Sequence, residues 1–222
     1  STLIQSGLWT ALKERPFGQV PSVDTSPGAI FLTCTDSEPL SADMNQVLAG
    51  HEEDFAKGIE VLSSLSSNVF LCVGSDFKGK GTKVANVKVE EFSGKHPYGL
   101  AGTHIHMLYG ASRNKRAWSI HLADVIAVGH LFTNGTLLNK RIISLAGPQV
   151  TNPRLIETRV GAFLDEVVAG ETKDGENRVI SGSPLSGRTS QGELHGFLGR
   201  YHRQVTVLME GREREFLGWL TP

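Results

Sequence analysis

No apolar run in this chain approaches the ~20 residues that cross a bilayer as a helix, and no signal-peptide pattern opens it. No direct membrane span is therefore expected, and any membrane association has to run through partner chains. Net charge is missing too: 22 Lys and Arg against 23 Asp and Glu leave −1. That balance offers no electrostatic footprint for nucleic acid or an anionic membrane surface. Cysteine is scarce, with Cys34 and Cys72 alone among 222 residues. Each sits in an apolar, strand-like run, which favours two buried free thiols over a disulfide or a metal pair. Neither CxxC nor HExxH occurs, and no repeat or low-complexity tract breaks the chain.

What is present is an alternation of buried strands and helices. Ala29–Thr35 and Val69–Val73 are short, continuously apolar runs, the mark of strands covered on both faces. Val87–Phe92 alternates as a third strand. Residues 52–65 predict a helix with Phe55, Ile59 and Leu62 inward. Glu52, Glu53 and Asp54 fall in its first turn, where carboxylates suit the helix dipole; that role is favoured over an acid/base cluster with His51. Residues 1–15 predict a helix, followed by a loop rich in Pro, Gly and Ser.

The stretch from His96 to Pro148 organises the rest. It opens on a Pro97-Tyr98-Gly99 turn and continues into helical patterns. Leu122, Val125, Ile126, Gly129 and Phe132 form one stripe expected to be buried, and Asn134-Gly135 is the stop. Ile142, Ile143 and Leu145 then read as the strand that closes this first α/β domain. Strands alternating with helices imply a mainly parallel sheet. After Pro153 the segments are shorter and richer in glycine, with a helix near residues 162–169, an alternating strand at Arg203–Met209 and a turn at Glu210-Gly211. The expected fold is α/β: a first domain over residues 1–153 and a small α+β domain over 154–222.

Three candidate chemistries compete with simpler readings. Gly74–Lys80 matches GxxxxGK after a strand, but Gly81 replaces the magnesium-holding Ser/Thr and a strand rather than a helix follows. A flexible connection is favoured. His96, His104, His106, His121 and His130 invite a metal site, yet on a helix His104 and His106 point about 160° apart, and His121 and His130 about 180° apart. Satisfied or solvent-facing histidines are favoured. Ser181-Gly182-Ser183-Pro184 lacks the spacing of a nucleophile elbow and reads as a loop. Arg212-Glu213-Arg214-Glu215 reads as a solvated face that can also meet a partner.

HPYGLAGTHIHML, AWSIHLADV and ISLAGP, with SGLWTALKERPF, NPRLIETRVGAFLDE and LGRYHRQVTVLMEGREREFLGW, resemble in the same order segments of a known family. It is the NqrA family, a component of the sodium-translocating NADH:quinone oxidoreductases of bacteria. The family is related to the flavin-binding subunit of respiratory complex I and to the C subunit of the Rnf complex. The resemblance implies a Rossmann-like first domain and a β-grasp-like second one. It also implies that the chain, which begins without Met, is a piece of a longer protein.

The flavin-binding relatives carry a glycine-rich loop of the form GLRGRGGAGFPT, whose backbone approaches the flavin. The matching segment here is SGLWTALKERPFGQVP, with Trp9, Ala11, Leu12, Lys13 and Glu14 where glycines would stand. The Glu-Lys pair of the relatives' YP-x-G-x-EK turn is replaced by Ala101-Gly102-Thr103. The implied reading is a vacated flavin site: no flavin, NADH or metal held tightly by this chain, with NADH and flavins in partner subunits. The implied role is a peripheral subunit on the cytoplasmic face of the inner membrane, held by the other subunits of the complex, with ubiquinone as a candidate ligand. Trp9, Leu12, Arg15 and Phe17 are the candidate quinone contacts, the two rings and Leu12 offering stackable apolar surface and Arg15 a donor. The same residues acting only as a plug is the favoured competitor. A working flavin- and NADH-binding module is the alternative function.

Overall fold

A computed structural model describes residues 2–212. The chain forms two compact units, Ser1–Ile142 and Ile143–Pro222. The first unit begins with a short helix α1 (Thr2–Gln5), a 3₁₀ turn (Leu8–Ala11) and strand β1 (Lys13–Arg15), where the sequence predicts one helix over 1–15. Gly7, in the left-handed region at φ 77°, breaks the helical run.

β2 (Ala29–Cys34), α2 (Met44–Leu48), α3 (Glu52–Ser63), β3 (Val69–Gly74) and β4 (Val87–Phe92) come next, then α4 (Ala101–Leu108), β5 (Ala117–His121) and α5 (Leu122–Asn134). The strands stand in the order β1-β5-β2-β3-β4. β5, β2, β3 and β4 are mutually parallel, and β1 joins β5 antiparallel. β2, β3 and β5 are buried along their whole length, as continuous apolar runs covered on both faces must be. Phe31 and Phe70 stack with centroids 4.8 Å apart, and Ile105 of α4 packs on them. On the opposite side α3 and α5 meet through glycines: a Cβ on Gly129 would stand 1.6 Å from the Asp54 carbonyl oxygen.

The expectation that the stretch from His96 to Pro148 continues from the Pro97-Tyr98-Gly99 turn into helical patterns is corrected at one place. Ala117–His121 is strand β5, paired between β1 and β2, and the helix begins only at Leu122. His121 closes the strand and caps the helix, its Nδ1 accepting from the Ala123 amide at 3.3 Å. Of the predicted stripe, Leu122, Val125, Ile126 and Gly129 are buried, while Phe132 is 41% exposed near the helix end. Gly135 ends α5 in the left-handed region at φ 71°.

The second unit is a five-stranded sheet in the order β7-β6-β10-β8-β9. Its elements are β6 (Lys140–Ala146), β7 (Arg154–Arg159), α6 (Leu164–Val167), β8 (Asn177–Ser181), β9 (Arg188–Thr189), α7 (Gly192–His195) and β10 (Gln204–Met209). The sequence predicts that the strand at Ile142, Ile143 and Leu145 closes the first sheet. Instead β6 runs parallel to β10, with Leu145 opposite Val205. The compact units accordingly divide between Ile142 and Ile143, ahead of the residue-153 boundary read from sequence. β8 runs antiparallel to β10, and Ile143, Leu145, Leu164, Leu198, Val205 and Val207 form the core.

Candidate functional site

The refilled loop is built from the 3₁₀ turn, β1 and the turn after it. Leu12 is 1% exposed and packs as core. Trp9 is half-buried: its indole nitrogen donates to the Pro21 carbonyl at 2.8 Å, and its ring meets Trp118 edge-on at 5.3 Å. Glu14, 1% exposed, accepts from the Trp118 indole at 3.1 Å. Arg116 Nη1 stands 3.3 Å from the other Glu14 oxygen, an ion pair without hydrogen-bond alignment. Arg15 reaches the start of α4, with Nη2 3.8 Å from where a Gly102 Cβ would be. Its Nε is buried and makes no hydrogen bond among the described residues. Phe17 is 64% exposed beyond the strand. The fold thus joins Trp9 and Leu12 to the core, brings Arg15 to the Ala101–Thr103 turn, and leaves Phe17 outward.

The histidines go to separate places. His96 Nδ1 stands 3.0 Å from the Ser37 hydroxyl, His121 caps α5, and His130 pairs with Asp54 at 2.8 Å. His106 is exposed on α4, and His104 lies fully buried, Nε2 donating to the Tyr98 carbonyl at 2.8 Å. Asp54 therefore serves α5 as well as the first turn of α3. No group of three or more His, Cys, Asp or Glu residues placed to hold a metal ion occurs among the described residues.

Cys34 and Cys72 are buried free thiols. Burial pushes both thiols up and keeps them protonated. Lys80, the lysine of the GxxxxGK match, bonds the Ser75 carbonyl at 2.6 Å and Glu91 at 2.5 Å, tying the loop to β4. Ser181 is buried, with its hydroxyl 2.7 Å from His202 Nδ1, so it is closed to substrate. Arg212 pairs with Glu176, and Glu213, Arg214 and Glu215 lie outside the described residues.

Sequence reasoning misses one feature. A cleft of about 290 Å³ opens at the carboxyl ends of β2 and β3, lined by Thr35, Asp36, Asp43, Asn45, Asp76 and Tyr98 among others. This end of a parallel sheet is where open α/β folds place ligands. Asn45 holds the rim together: its amide donates to the Asp76 carbonyl at 3.3 Å and its oxygen accepts from the Lys78 amide at 2.8 Å. Gly99 lets the Tyr98 turn close down, since a Cβ there would meet the Ser37 amide at 2.3 Å. The readable signal is that both buried strands are followed by a polar residue and an aspartate, Thr35-Asp36 and Ser75-Asp76.

A parallel four-stranded core with its cleft at the carboxyl edge, followed by a second mixed sheet, defines a two-unit α/β protein. Residues 1–137 match the family model described as NqrA second alpha/beta domain, and residues 142–192 match the NQRA C-terminal domain. The chain belongs to the NqrA family. It is 51% identical to the A subunit of the Na(+)-translocating NADH-quinone reductase of Shewanella denitrificans, covering 100% of this chain and 49% of the relative. The counterpart from Glaesserella parasuis is 50% identical over 99% of this chain and 50% of its own length. That of Neisseria meningitidis is 47% identical over 99% and 49%. The chain therefore spans about half the length of these curated relatives. Among solved structures, NAD+-reducing [NiFe]-hydrogenase in the H2-reduced state aligns with a TM-score of 0.59 at 14% identity, over 84% of this chain and 41% of that one. That likeness shows the fold alone.

Proposed function

We propose that this chain is part of a peripheral subunit of a sodium-translocating NADH:quinone reductase, in which it supplies assembly surface and a quinone contact without a flavin or NADH site of its own. Membership in the NqrA family supports the assignment to that complex, since the curated relatives carry that name. No described helix is long and apolar enough to cross a membrane, which fits attachment through partner subunits at the cytoplasmic face. We read the first unit as Rossmann-like and the second as β-grasp-like.

The observation that carries the absence of flavin is the filling of the loop. Leu12 and Glu14 occupy core positions and Trp9 leans on Trp118. Side chains stand where a bound isoalloxazine would need backbone contact. Quinone contact rests on what the loop leaves accessible: exposed Phe17 and the half-buried Trp9 and Arg15. These offer a ring to stack on and a donor for a quinone oxygen, with Leu12 as the floor.

Titrating the chain with a water-soluble ubiquinone while following tryptophan fluorescence tests this reading. Saturable quenching that is lost in Trp9→Phe and weakened in Arg15→Gln is the expected result. Unchanged quenching in Trp9→Phe removes the site, and a yellow purified chain with a flavin absorbance band replaces the whole reading with the flavin-binding module.

A further inference from the structure

We propose that the cleft at the carboxyl ends of β2 and β3 binds an organic cation, a small alkyl amine or guanidinium. The site is separate from the refilled loop and does not depend on the quinone reading. Three carboxylates line it, Asp36, Asp43 and Asp76, and no Lys, Arg or His does. A phosphate or carboxylate ligand would meet three like charges there and no basic side chain to offset them.

The carboxylates are not all committed to the fold. Asp43 caps α2 through one oxygen, which accepts from the Asn45 amide at 2.8 Å, and Asp36 accepts from the Glu38 amide at 2.8 Å. The Asp76 carboxylate has no side-chain partner among the described residues, although its backbone carbonyl is held by Asn45.

A second, independent feature points the same way. Thr35 is 4% exposed and lines the cleft, yet its hydroxyl has no hydrogen-bond partner among the described residues. The residue is buried as a whole, but its oxygen is not enclosed in the core and opens onto the cleft. Its Oγ1 lies 3.7 Å, and Asp76 Oδ1 3.1 Å, from the point where a Gly74 Cβ would sit. Both oxygens therefore face the space left by the bare Cα of Gly74, and any side chain there would fill it. The arrangement is a cradle of acceptors waiting for N–H donors.

The ligand is an extended cation and not a bare metal ion. No set of three metal-ligating His, Cys, Asp or Glu residues is close enough to share one ion among the described residues. Acceptors spread around about 290 Å³ suit a molecule with several N–H groups, which can reach Asp76, Thr35 and the Asp43 rim together.

Isothermal calorimetry of the full 222-residue chain at low ionic strength, with agmatine and spermidine as probes, decides the matter. Saturable one-site binding is expected for at least one probe. Asp76→Asn should weaken it about tenfold and Thr35→Val about threefold, as expected for losing a charged and then a neutral partner. Glu53→Gln, an exposed carboxylate on α3 away from the cleft, should leave it unchanged. Heats no larger than dilution for both probes overturn the proposal. So does an affinity that falls equally in Glu53→Gln and Asp76→Asn, since that is general attraction to an acidic surface. Binding of inorganic phosphate to the same site also overturns it. None of these outcomes touches the quinone titration, which reads Trp9.

Discussion

His104 shows what a single buried side chain does to pH dependence. It lies fully buried on α4, its ring 4.1 Å from that of Phe92, and its Nδ1 makes no hydrogen bond among the described residues. Burial lowers its pKa from 6.5 to about 4, against the opposing pull of the bond to the Tyr98 carbonyl. The folded protein therefore holds the neutral imidazole where the unfolded chain takes up a proton. Stability is full above pH 6.5 and is lost as pH falls toward 4, by roughly 3 kcal/mol in all. Urea unfolding of wild type and His104→Gln across that window should show a difference that shrinks as pH drops; a constant difference would detach the effect from protonation. Sequence groups His104 with four other histidines as metal candidates. Nothing in spacing alone distinguishes the one whose surroundings are Phe92 and Ile105 from those on the surface.

The pairing of α3 with α5 depends on two missing side chains. A Cβ on Gly58 would lie 2.1 Å from the Val125 carbonyl oxygen, and one on Gly129 would lie 1.6 Å from that of Asp54. Neither obstacle is a flexible side chain, so the helices would have to separate. Gly129→Ala should cost about 3 kcal/mol or more, at the upper end for overpacking. Gly81→Ala, with nothing within 4 Å, should cost little. Chemical denaturation checks both, and equal midpoints would refute the close crossing. The inward stripe of α3 was legible because Phe55, Ile59 and Leu62 repeat with the helical period. β5 was not, because Ala117–His121 runs into α5 with no Gly or Pro between them and His121 serves both elements. β6 failed for another reason: an apolar run announces a strand but not its neighbour, and its partner is β10, far along the chain. The cleft was hidden likewise, since Thr35 and Asp76 meet only after two strands pair in parallel.

At the scale of the molecule, the division between Ile142 and Ile143 leaves the first sheet complete within residues 13–121 and its last helix ended at Asn134. A fragment of residues 1–137 should therefore fold by itself, with a cooperative thermal transition followed by circular dichroism; a broad, non-sigmoidal melt would show that it depends on the second unit. The same sheet also decides how this unit can meet a neighbour. One rim is β1, three residues long, and the other is β4, which carries Lys88, Glu90 and Glu91. Stubby or charged rims resist recruitment of a foreign strand. A companion protein that binds this unit would consequently grip it by side chains on its faces, so its binding should tolerate changes in backbone amide chemistry along β4 and respond sharply to single surface substitutions.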